Sequence, residues 1–193
     1  MTTEHLIGSI SADQPLLVVA VKEEAQFLPG DLPVLITGIG KVHTTLTLMT
    51  ALAAGVHPSS LVNLGTAGAL RPGLSGVHEV STVIQHDLDT ALLRTLTGET
   101  YGAPVELPHT GGVTLASGDS FVADGVLKDS LALRAHLVDM EGYAVAATAQ
   151  RLGLPARLVK IVSDDADEGA AKSWPVTVAE CARALADWVA REL

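Results

Sequence analysis

The sequence predicts an α/β fold with a largely parallel sheet. Short aliphatic and β-branched runs recur along the chain, and stretches of ten to fifteen residues with helical spacing separate several of them. Glycine or proline marks many of the joints. The first strands are read at residues 16–21 and 33–37. From 41 to 54, Val42, Leu46, Met49 and Ala53 recur at spacings of four, three and four, which makes one helix face. Gly55 and Pro58 end that helix, and residues 60–64 begin another buried strand. Further strands are read at 77–85, 113–116 and 137–140. A helix of small residues follows at 142–152, closed by Gly153-Leu154-Pro155, and the last strand spans 157–162. The final helix takes Ser173 or Thr177 as its cap and carries Val178, Ala182, Leu185, Val189 and Leu193 on one face. Residues 86–112, polar and rich in turn formers, predict one short helix and then loop.

The length of 193 residues suits a single domain, 1–193, with residues 1–15 a loose N-terminal segment. A formal charge of −10 leaves nothing basic enough to follow a phosphate backbone, and 3% aromatics argue against a base-stacking surface. Neither nucleic acid nor membrane is an expected partner, since no apolar run approaches the roughly 18 residues a bilayer demands. Residues 1–15, with Glu4 and Asp13, lack the basic and apolar regions of a signal peptide. Cys181 is the single cysteine and has no internal disulfide partner, so the expected compartment is the cytoplasm. His43, His78 and His109 lack metal-ligand spacing, and neither metal nor cofactor is expected.

Two acidic clusters follow apolar strands in the third quarter of the chain. One is Asp139-Met140-Glu141; the other is Ser163-Asp164-Asp165-Ala166-Asp167. Ligands of open parallel sheets bind at the carboxyl ends of strands, so carboxylates there are read as chemistry. Two glycine-rich segments, read as turns after strands, stand earlier: Thr37-Gly38-Ile39-Gly40-Lys41 and Asn63-Leu64-Gly65-Thr66-Ala67-Gly68-Ala69. Neither is a dinucleotide fingerprint or a P-loop, since His43 and Leu35 occupy the positions where the further glycines would stand.

Six segments taken in order carry a resemblance. They are Ala20-Val21-Lys22-Glu23-Glu24, Thr37-Gly38-Ile39-Gly40-Lys41-Val42, Asn63-Leu64-Gly65-Thr66-Ala67-Gly68, Ser117-Gly118-Asp119-Ser120-Phe121-Val122, Val138-Asp139-Met140-Glu141 and Ser163-Asp164-Asp165-Ala166-Asp167. The series resembles the nucleoside phosphorylase and nucleosidase superfamily, and within it the 5′-methylthioadenosine/S-adenosylhomocysteine nucleosidases. The resemblance implies a three-layer α/β/α sandwich with a mixed, largely parallel central sheet. It also implies hydrolysis of a purine nucleoside's N-glycosidic bond, with an adenine-type, 5′-modified nucleoside and water as partners and a homodimer as the assembly.

The resemblance assigns roles residue by residue. Asp164 is the general acid that protonates the leaving purine, oriented by Ser163, and its pKa would rise by burial beside Asp165 or Asp167. The competing reading of this cluster is a helix cap or a solvated acidic loop. Glu141 holds the ribose hydroxyls, with Met140 against the sugar; alternatively it is a first-turn residue favoured by the helix dipole. Glu24 binds the nucleophilic water with help from Thr66, or else is an exposed helix-start residue. Phe121 stacks on the purine while the Val122 backbone binds its edge, or Phe121 is plain core. Asp139 is given a structural hydrogen bond.

Phosphorylases of the superfamily bind phosphate through arginines. No arginine precedes Arg71, and Glu24 would repel a phosphate dianion, so water is the expected nucleophile. Lys41 keeps phosphorolysis open as an alternative, and a non-catalytic nucleoside-binding homologue is another. The chain is short between His86 and Gly112, where the family builds its 5′-substituent pocket.

Overall fold

The computed structural model describes residues 5–53 and 55–193. In chain order the elements are β1 (Leu6–Ile7), β2 (Leu16–Val19), α1 (Lys22–Ala25), β3 (Val34–Ile36), α2 (Lys41–Leu52), β4 (Leu61–Ala69), β5 (Val77–Gln85), α3 (Thr90–Thr97), β6 (Val105–Glu106), β7 (Val113–Ser117), α4 (Gly125–Ala132), β8 (Leu137–Asp139), α5 (Gly142–Leu152), β9 (Ala156–Asp164) and α6 (Ala170–Glu192).

Among the described residues the strands form one mixed sheet in the order β1-β3-β2-β4-β8-β7-β5-β6, with β9 bridging β4 and β5. The pairs β2–β3, β2–β4, β4–β9, β5–β7 and β7–β8 are parallel, and the remaining pairs are antiparallel. Strands β4, β9, β5, β7 and β8 therefore close into a ring, with β2, β3 and β1 extending from β4.

Helices cover both faces, giving the α/β/α layering. Successive residues of β2 point to opposite sides, and both sides are dry: Leu16 and Val18 join one core cluster, Leu17 and Val19 another. Helices α2 and α5 pack together on the first side, contributing Leu48, Leu52, Val145 and Ala149. On the second, α6 contributes Leu185, Trp188 and Val189 beside α1. A third cluster joins Leu131 of α4 to Leu70, Ala116, Val122 and Val138. Among the described residues no helix is long and apolar enough to cross a membrane.

Five expectations need correction. Residues 105–106, expected in loop, form β6 and pair antiparallel with β5. Within the expected loose segment, β1 pairs antiparallel with β3; residues 1–4 lie outside the described residues. Val42, Leu46 and Met49 do not face the core, being 65%, 62% and 42% exposed; α2 buries Thr44, Leu48, Ala51 and Leu52 instead. Both stripes have helical spacing, and the Thr44 hydroxyl, 3.3 Å from that of Thr37 at the end of β3, goes with the second rotation. Residue 54, the expected last residue of that helix, lies outside the described residues. Helix α6 starts at Ala170, so Thr177 is interior rather than a cap and reaches back to the Ser163 carbonyl at 3.2 Å; the Ser173 side chain lies outside the described residues.

The second glycine segment is not a turn. Gly65 and Gly68 sit inside β4, paired with β9. A Cβ on Gly65 would lie 3.2 Å from Glu24 Oε1 and 3.3 Å from Lys160 Nζ. One on Gly68 would lie 2.9 Å from the Ala166 Cβ and 3.0 Å from Asp164 Oδ1. Glycine is needed there for close approach, because buried Ala166 is held at φ 49° and has no room to retreat. Gly68→Ala is expected to lower unfolding free energy by about 1–3 kcal/mol through overpacking, measured by urea denaturation with the far-ultraviolet spectrum of the native state unchanged.

Candidate active site

A cavity opens at the carboxyl ends of β4, β8 and β9, where sheet geometry collects the residues that follow buried strands. All eight residues assigned from the sequence line it: Glu24, Thr66, Phe121, Val122, Met140, Glu141, Ser163 and Asp164. Phe121 is half exposed at the cavity wall and is not plain core, whereas Val122 is buried.

The floor is built on charge. Lys160, in the middle of β9, is 1% exposed and reaches across the ring to Asp139 Oδ2 at 2.8 Å. Asp139 also accepts from the Ser117 hydroxyl at 2.5 Å and from the Gly142 backbone N–H at 2.8 Å, so it holds the start of α5 as well. The structural hydrogen bonds expected of Asp139 are present, and an ion pair is added to them. Burial works against the Lys160 ammonium, but Asp139, Glu141 and Glu24 outweigh it and raise its pKa above the ordinary lysine range.

One lysine does not balance three buried carboxylates. Glu141 is 8% exposed and stands at the N-cap of α5, its Oε1 accepting from Gly40 N–H at 2.8 Å. Burial first, and then Asp139, push its pKa up to about 8, against the opposing pull of Lys160 and of the Gly40 N–H. At neutral pH without ligand the group therefore holds a proton, and with Oε1 occupied, Oε2 is the oxygen free to meet a ligand hydroxyl.

Glu24 is buried, not an exposed helix-start residue. Four donors surround it: Ala20 N and Val21 N at 3.1 and 3.4 Å on Oε2, Thr66 N and Thr66 Oγ1 at 2.9 and 3.1 Å on Oε1. Asp164 ends β9 with Oδ1 accepting from Ala166 N–H and Oδ2 from the Ser163 hydroxyl, both at 2.8 Å. Asp165 and Asp167 are exposed and absent from the cavity lining; Asp167 instead receives the Gly169 N–H at the start of α6. Within the cluster Ser163 and Ala166 are buried and Asp164 is half-buried, so the burial expected beside Asp165 and Asp167 does not extend to those two carboxylates.

Lys41 is committed elsewhere. Its ammonium contacts Asp87 Oδ1 at 2.5 Å and Gln85 Oε1 at 2.9 Å, while its backbone N–H donates to Asp119 Oδ1 at 2.8 Å. This clasp ties the first glycine turn, where Gly38 and Gly40 have φ of 82° and 92°, to the loop carrying Phe121. None of the described residues lining the cavity is basic. Among the described residues, no three His, Cys, Asp or Glu side chains gather as a metal site would need.

Sequence reasoning missed Lys160, Trp174 and Ile39 as parts of the site. A signal existed for Lys160: a lone cation between Leu158-Val159 and Ile161-Val162 is buried by its neighbours and requires a partner. Trp174 gave none, since α6 brings it to the cavity from ten residues beyond Asp164.

The family model of the phosphorylase superfamily matches residues 77–191. An aminodeoxyfutalosine nucleosidase of Helicobacter pylori is 30% identical over 159 residues, spanning 70% of this chain and 68% of its own. A 5′-methylthioadenosine/S-adenosylhomocysteine nucleosidase of Actinobacillus succinogenes is 28% identical over 197 residues, or 89% and 80% of the two chains. A solved structure of a Helicobacter pylori futalosine hydrolase mutant shares the fold, with a TM-score of 0.79 at 24% identity over 92% of this chain and 97% of that one.

Two outcomes follow from the charged floor. Lys160→Met, which leaves Asp139 buried without its cation, is expected to cost about 3–5 kcal/mol in urea unfolding. Glu141 carries a pH signature. The native state keeps its proton to about pH 8, whereas the unfolded chain releases it near 4.5, so the stability tied to this proton is complete below pH 4.5 and lost as pH rises towards 8. Each pH unit inside that window removes up to about 1.4 kcal/mol. Thermal melts of Glu141→Gln between pH 5 and 8 should fall less steeply than those of the unaltered chain.

Proposed function

The chain belongs to the phosphorylase superfamily, and from that premise we propose that it is a nucleosidase hydrolysing the N-glycosidic bond of an adenine-type, 5′-modified purine nucleoside to free base and ribose derivative. The observation that carries this reading is one cavity in which Asp164, Glu24 and Glu141 occupy separate elements, β9, α1 and the start of α5, with no basic residue among the described lining.

The chemistry follows from these positions. Water attacks the anomeric carbon as the carbon–nitrogen bond breaks, and the bond's electron pair leaves with the purine. In its acid form Asp164 gives a proton to the departing base from Oδ2, while Oδ1 keeps the Ala166 N–H. The Ser163 hydroxyl can then turn to the Ala67 carbonyl, 3.5 Å away. Glu24 and Thr66 hold the water, and Glu24 takes its proton. Glu141 gives up its proton to solvent as the nucleoside binds, so that its carboxylate accepts the ribose hydroxyls beside Met140 and stabilises the positive charge growing on the ring. Phe121 stacks on the purine, and the Val122 backbone binds its edge.

Phosphorolysis is disfavoured because a phosphate dianion would enter beside Glu24, and Lys41 is neutralised by Asp87. We also propose a homodimer formed through the exposed stripe Ile39, Val42, Leu46 and Met49 on and before α2, an apolar patch of the kind that marks an interface. The proposed compartment is the cytoplasm, in keeping with the buried thiol of Cys181, which is in no disulfide.

A chromatographic assay of free base released from a nucleoside panel, with and without phosphate, tests the reaction. Equal release of adenine and free sugar in both conditions is expected, and a strict phosphate requirement would overturn the role of Glu24. Asp164→Asn and Glu24→Gln should each lower kcat by about 10²–10⁴. Leu46→Glu should shift the light-scattering mass from dimer to monomer.

A further inference from the structure

We propose that Trp174 is a positioning residue for the nucleophile: its indole N–H holds the Thr66 hydroxyl so that the single proton of Thr66 points at Glu24. The proposal rests on the hydrolytic reading of the cavity, in which Glu24 and Thr66 hold the attacking water. Trp174 Nε1 lies 2.9 Å from Thr66 Oγ1, and Thr66 Oγ1 lies 3.1 Å from Glu24 Oε1. An indole nitrogen only donates, and both Glu24 oxygens already face backbone N–H donors, so the direction of both bonds is fixed. Trp174 donates to Thr66, and Thr66 donates to Glu24.

Two consequences follow from that order. With one lone pair of Thr66 taken by the indole and its proton by Glu24, the hydroxyl has a single lone pair left, and water approaching it is oriented as a donor. Glu24 meanwhile has four donors around its two oxygens, so its orientation is fixed before any substrate arrives. Without the indole the Thr66 hydroxyl is free to rotate, and the nucleophile meets a less ordered pair. Trp174 also lines the cavity, so a plain wall is the competing role. A wall would act on substrate affinity, whereas a positioning residue acts on the reacting complex.

Trp174→Phe separates the two, because it keeps a ring in place and removes only the donor. Its kcat should fall about three- to tenfold with KM within about twofold of the unaltered protein, the size of one hydrogen bond. In a Thr66→Val background the same change should lower kcat no further, since its route has already been removed. The indole N–H proton resonance of Trp174 should move upfield in Thr66→Val, a readout independent of turnover. An unchanged kcat in Trp174→Phe, a full additional loss in the Thr66→Val background, or an indole resonance indifferent to Thr66 would each overturn the proposal. Absence of base release by the unaltered protein is a different failure: it would overturn the nucleosidase reading, and this role with it.

Discussion

The buried Lys160–Asp139 pair is the interaction on which the rest of the site depends. An ammonium removed from water in the middle of a strand costs several kcal/mol, offset only by good geometry and further partners. Asp139 supplies the geometry at 2.8 Å, and Ser117 and Gly142 donate to it as well. Because those partners come from β7, β8, β9 and the start of α5, one charge network joins four elements. The same cation faces Glu24 and Glu141, and its pull on Glu141 opposes burial and Asp139 without overcoming them.

The ring of strands makes that network possible. Lys160 on β9 reaches Asp139 because β4 and β5 on one side, and β7 and β8 on the other, close around the side chain. Gly65 and Gly68 leave β4 bare where Lys160, Glu24, Ala166 and Asp164 press upon it. Their role is space in a strand, which a glycine-rich segment does not announce, because the same residues serve turns as readily.

Charge also separates the possible reactions. Three carboxylates around one lysine give a site suited to growing positive charge and hostile to an anionic nucleophile. Two surface cations among the described residues are spent locally, Lys41 on Asp87 and Arg157 on Glu79 at 2.6 Å. An excess of negative charge that first reads as a property of composition thus has a counterpart at the cavity.

The sequence by itself determined most of the longer strands and helices and eight of the cavity's residues, though not β1, β6 or α4, nor the place of Ile39, Lys160 and Trp174. Strand β5 and helix α5 begin and end where apolar runs and Gly153 predicted, because local propensity and tertiary burial agree there. The eight site residues were legible because the six ordered segments that carry the family resemblance contain them all. Only the tertiary structure decided the rotation of α2, the strand character of residues 65–69, the burial of Glu24 and the arrival of Trp174. The helix offers two stripes of equal spacing, and its neighbours choose between them. The ionisation of Glu141 belongs to the same class: a pKa depends on how much water is excluded and which charges lie near, and neither is a property of sequence position.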